Sequence, residues 1–107
     1  MTNAEILAML ESVTEFKGKV AYRLFKEQAP AFPYICFYED GTDNFNADGS
    51  VYFERRIVTI ELYTKIKDPT TEALLKGVLD SYGIPWDYSE SYIDTEQCFL
   101  IAFEVEV

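Results

Sequence analysis

Six consecutive residues, Asn44-Phe45-Asn46-Ala47-Asp48-Gly49, set side-chain oxygens at alternate positions and a glycine at the sixth. A twelve-residue calcium loop begins in this way. Its twelfth position requires a bidentate carboxylate, and here that position is Arg55. A cation in place of the strongest ligand speaks against the ion, so the segment reads as a hairpin loop rich in Asx turns. The other residues able to do chemistry are carboxylates, of which pairs such as Glu39 with Asp40, Asp87 with Glu90 and Glu104 with Glu106 are obvious. Acid–base catalysis needs a desolvated cleft that pulls two such pKa values apart. Nothing around these pairs signals one. The chain has no histidine, so a Ser or Cys nucleophile lacks its commonest base. Gly41 and Gly49 fit neither a dinucleotide fingerprint nor a phosphate loop. The expectation is a protein that is not an enzyme and needs no cofactor or metal.

Cys36 and Cys98 are far apart in sequence, without CxxC spacing, and each falls in an apolar strand pattern. They read as small buried thiols with a structural role. Arg55-Arg56 is the only basic doublet; on a strand it sends one guanidinium to each face, which suits ion pairs better than a patch. Phe45 is a lone aromatic among polar loop residues. It either tucks onto its own hairpin or anchors a partner, as buried aromatics do at interface centres. The candidate contact residues are therefore Asp43, Asn44, Phe45, Asn46, Asp48 and Tyr52 on the hairpin, with Glu61 and Tyr63 further along its second strand.

The elements that must carry these residues follow from periodicity. Ile6, Leu7, Leu10 and Val13, with Met9, give an apolar stripe at helical spacing over roughly 3–16, capped by Thr2 or Asn3 and closed by Gly18. Val20 to Phe25 is strand-like, and Pro30 and Pro33 then break regular structure. Tyr34 to Glu39 is a strand, Asp40 to Ser50 a loop, and Val51 to Lys67 a long strand. Val58, Ile60, Leu62 and Ile66 fall on the core face of that strand, while Thr59, Glu61, Tyr63 and Lys65 fall on the other. Asp68 and Pro69 start a second helix, with Leu74, Leu75, Val78 and Leu79 inward and Gly83 at its end. A hairpin begins over Ile84 to Ser91, Tyr92 to Glu96 links it, and Cys98 to Val107 closes the chain with odd positions inward. The order α-β-β-β-α-β-β predicts an α+β fold: one mainly antiparallel sheet, two helices on one face and a long β-hairpin arm.

At 107 residues the chain is expected to form a single domain, 1–107, with a core that needs no metal or disulfide. Aromatic residues make up 16% of it, which is enough to leave some rings at partner surfaces. A net charge of −10 opposes phosphate binding, which depends on clustered Lys and Arg. No apolar run approaches 18 residues, and the start MTNAEILAML lacks a signal peptide's basic head and apolar core. The expectation is no membrane association and a reducing cytoplasm.

The run from about Val20 to the end, with its strand PYICFY, loop DNFNADG, strand IELYTKIKD and acidic SESYIDTE, resembles a known family. It is similar to the tail terminator, or tail-to-head joining, proteins of siphophages and prophages of Gram-positive bacteria. The resemblance implies an α/β sandwich without catalytic residues. It also implies a homo-hexameric ring at the head-proximal end of the tail tube, made in the host bacterial cytoplasm and carried in the virion. Such a ring stops tube polymerisation, meets the tail-tube and head-neck proteins, and lets DNA pass through its lumen without specific binding. By the same resemblance, the hairpin around Asp43 to Asp48 reaches a neighbouring subunit or tail-tube ring. Two alternatives stand beside it: a head-closure, neck or minor tail protein of similar fold, and a monomeric acidic binding module that mimics DNA or inhibits a host protein.

Overall fold

In a computed structural model, the chain folds as an α+β unit in which two helices cover one face of a five-stranded sheet. The structure describes the backbone of residues 1–47 and 50–107 and the side chains of 1–43 and 55–107. In chain order the elements are α1 (Asn3–Glu11), a 3-10 turn (Thr14–Phe16), β1 (Val20–Tyr22), β2 (Tyr34–Ala47), β3 (Ser50–Thr64), α2 (Pro69–Ser81), β4 (Trp86–Ile93) and β5 (Cys98–Glu106). The sheet order is β1-β2-β3-β5-β4. All neighbours are antiparallel except β1 and β2, which pair in parallel with Val20 opposite Ile35.

Local chemistry explains the helices. Thr2 and Glu5 form a capping box at the start of α1, satisfying two N-terminal donors. Ile6, Met9 and Leu10 are buried, with Leu7 and Val13 packed partly against the core. The expected helix over 3–16 is shorter. The Ser12 hydroxyl donates to Met9 O, and Val13, β-branched, takes extended backbone before the 3-10 turn that buries Phe16. Asp68 caps α2 through Thr71 N–H, Pro69 takes the first turn, and Gly83 leaves it at φ +67°. Leu75, Val78 and Leu79 are buried, whereas Leu74 is only partly so.

The core lies between the helices and one sheet face: Ile35 and Phe37 from β2, Val58, Ile60 and Leu62 from β3, Ile101, Phe103 and Val105 from β5. Several expectations need correction. β1 ends at Tyr22 because Arg23 turns the chain with φ +67°. β4 runs on to Ile93, which shortens the link to the four residues before Cys98. Ile66, assigned to the core face, is 69% exposed. β3 ends at Thr64, which takes the inward position instead, so the alternation does not reach Ile66.

The largest correction concerns 40–50. Instead of a loop, β2 continues to Ala47 and pairs with β3 down to Ser50. Turn-forming residue types yield here to cross-strand pairing, helped by irregularities between Glu39 and Gly41 and between Phe45 and Asn46. The calcium-like run, with Asp48 and Gly49 and the side chains of 44–54, lies outside the described residues.

A ribbon arm, a helix-free face and an unsatisfied hydroxyl

β5 accompanies β3 only as far as Arg56, whose N–H and C=O both bond to Val107. β1 accompanies β2 only from Ile35 to Phe37. From Thr42 and Arg56 outwards, the described residues form a ribbon of two strands without a third. Such a ribbon is marginal alone. It contributes to a long dimension of 50 Å against 28 and 26 Å across. Asp43 pairs with Arg55 in register, and Arg55 approaches Glu106 at 3.9 Å. A hydrogen bond with Asp43 raises the Glu106 carboxyl above its usual range, with slight burial and neighbouring negative charge adding to the effect. Asn44, Phe45 and Asn46 face Glu54, Phe53 and Val51 across the ribbon, and Tyr52 is the extra residue at the second irregularity. Their side chains lie outside the described residues, as does Asp48.

The ribbon's base is clamped by Arg56. Its guanidinium donates to Glu39 Oε1 at 2.7 Å, to Met1 O at 2.5 Å and to Asn3 Oδ1. The sequence foresaw ion pairs for the doublet, and both arginines make them within the chain.

Glu61 and Tyr63 are not part of the arm. They lie well down β3, on the sheet face that no helix covers, so the predicted contact residues divide into two places. The Tyr63 hydroxyl donates to Glu61 Oε1 at 3.1 Å, and its ring stacks on Tyr34 at 4.8 Å. Phe32 stacks on the same Tyr34, and Phe25 meets it edge-on. Burial, then the Glu61 charge and hydrogen bond, raise the Tyr63 phenol; burial first also raises Tyr34. Cys36 and Cys98 are buried free thiols, as expected, but by strand parity they lie under this aromatic cluster instead of in the main core. Burial raises both. A groove of about 290 Å³ runs between the 23–29 segment and the Tyr34–Tyr63 pair.

The same face turns acidic toward the arm. Asp87 lies opposite Glu104, Glu104 opposite Thr59, and the Thr59 hydroxyl donates to Asp40. None of Asp40, Glu61, Asp87 and Glu104 joins an ion pair among the described residues. Like charges directly opposite across strands repel, so this face suits a contact that separates or neutralises them. Among the described residues no group of three or more His, Cys, Asp or Glu is placed to hold a metal ion.

Sequence reasoning missed a third feature, at the end of the sheet away from the arm. Thr64 is 2% exposed, and its Oγ1 has no hydrogen-bond partner among the described residues. It lines a hollow of about 140 Å³ with Phe32, Pro33, Lys65, Ile66 and Asp68. The available signal was a hydroxyl at a core-parity position, two residues before Ile66.

No protein-family model and no curated protein matches this chain.

Proposed function

We propose that this chain is a structural subunit of a phage tail, of the tail terminator kind. It assembles with copies of itself into a ring at the head-proximal end of the tube. There it halts tube growth and joins the tail to the head-neck proteins. The observation that carries the reading is the arm: a two-stranded ribbon that leaves its own sheet and has no third strand to cover it. A ribbon of this kind gains stability when a partner lies against it. Of the segments that resemble tail terminator proteins, DNFNADG falls on this arm, while PYICFY and IELYTKIKD fall in the body of the sheet and at its far end.

The acidic helix-free face fits the same role. DNA passing within a Debye length of about 8 Å is repelled, not held. The test is light scattering of the purified protein alone and with purified tail tubes, followed by imaging of the tubes. Rings on one tube end are expected. Replacing Phe45 and Asp48 together with Ala reduces capping several-fold while the circular dichroism melt stays unchanged. A strict monomer that never caps tubes would sink the reading.

A further inference from the structure

We propose that β4, the free edge of the sheet, receives an extended segment of another protein in which lysine or arginine alternates with apolar residues. The inference stands apart from the tail reading, and its test needs no tubes. β4 ends the strand order and pairs with β5 alone, from Trp86 to Ile93 in unbroken register. Alternate residues of such a strand turn their N–H and C=O groups away from the ladder. Apart from Ile93 O, which accepts from Glu96 N–H in the turn, no β4 backbone group bonds outside that ladder among the described residues. Long edges are commonly blunted by a lysine, a proline or a bulge. β4 has none of the three. The opposite edge, β1, is only three residues long.

The charge of this edge selects its occupant. No Lys or Arg follows Lys76 in the chain, whereas β4, β5 and their turn carry Asp87, Glu90, Asp94, Glu96, Glu104 and Glu106. The cations that reach this hairpin come from elsewhere. Lys67 takes Glu90, Arg55 takes Glu106, Lys65 donates to Gln97 O, and Lys76 lies over the Trp86 and Tyr88 rings. Asp87 and Glu104, directly opposite each other on the helix-free face, join no ion pair among the described residues. They border an open hollow of about 230 Å³ with Thr59, Ser89 and Ala102.

A strand laid along β4 sets alternate side chains over that hollow, where a cation relieves the repulsion between the two carboxylates. Its intervening side chains fall on the other face, beside the half-exposed rings of Tyr88, which stacks on Phe103, and Tyr92. Main-chain bonds then give affinity, and the alternation gives specificity. The β4 of a second copy would instead bring its own acidic hairpin against this one.

Trp86 is the single tryptophan, so its fluorescence reports binding from β4 itself. The full chain is titrated with two capped peptides of about ten residues and equal charge, one alternating Lys with Val and one alternating Lys with Pro, whose missing N–H groups prevent strand pairing. The Lys-Val peptide should bind and slow amide hydrogen exchange across β4, and the Lys-Pro peptide should bind at least about tenfold more weakly. Asp87→Lys with Glu104→Lys, both at exposed positions, should weaken Lys-Val binding at least about tenfold and accept a Glu-Val peptide instead. A circular dichroism melt checks that this variant folds; if it does not, the two wild-type titrations decide. No binding of the Lys-Val peptide, equal binding of both Lys peptides, or an affinity unmoved by charge reversal overturns the proposal. Sedimentation velocity of the chain alone addresses the remaining occupant. Self-association that protects the β4 amides and is undone by the Lys-Val peptide would assign the edge to a second copy, and the assignment to another protein would fail.

Discussion

At the scale of single residues, Arg56 ties together parts of the chain that lie far apart in sequence. It reaches Met1 and Asn3, over fifty positions away in sequence, and Glu39 across the ribbon. Its side chain is 18% exposed, so these bonds are only partly screened by water. Hydrogen bonds to a charged group contribute about 1.5–3 kcal/mol. Arg56→Ala is therefore expected to cost about 2–3 kcal/mol in urea unfolding. Arg56→Lys should recover only part of that, because an ammonium cannot reproduce the guanidinium fork. A midpoint within error of wild type would show that the clamp does not stabilise the fold. The doublet's alternation between faces was legible in sequence. The contact with Met1 was not, because nothing local records which distant carbonyl a guanidinium will meet.

At the scale of elements, the helices were the most legible parts, because caps and stripes are written in neighbouring residues. Asp68 before Pro69 shows this. The Thr71 hydroxyl and backbone N–H hold the Asp68 carboxyl below its usual range. A carboxylate with a lowered folded-state pKa adds stability above its unfolded pKa and loses it as pH falls through the folded value. Asp68→Ala should cost about 1 kcal/mol near neutrality. The difference in melting temperature between wild type and variant should shrink steadily below about pH 4. A difference independent of pH down to 2 would mean that the carboxylate is not what caps the helix. The strands were less legible. Residues 40–47 look like a loop because Asp, Asn and Gly favour turns, and only the facing strand makes them extended. The parallel pairing of β1 depends on a return of more than ten residues, which no local pattern encodes.

At the scale of the whole molecule, the sequence showed a charge of −10 but not its sorting onto the helix-free face, where register sets Asp87 opposite Glu104. That sorting depends on strand direction and register, and so appears only once the sheet is assembled. The candidate contact residues were half legible in the same sense. The arm was visible as a hairpin, but Glu61 and Tyr63 belong to a separate aromatic face, and Thr64 was passed over. The irregularity between Glu39 and Gly41 has a consequence for how this chain can vary in length. Before it, even-numbered residues of β2 share the face of Tyr63; beyond it, odd-numbered ones do. Deleting Asp40 should therefore turn β2's half of the arm over by one residue, so that every later position in that strand trades sides. Loss of self-association and tube capping with the melting temperature nearly retained is the expected result, whereas Asp40→Asn should keep both. An arm that still works after the deletion would show that its two sides are equivalent. Lineages of this chain should thus lengthen or shorten the arm by two residues on each strand at a time, and treat single-residue indels there as frame errors of shape.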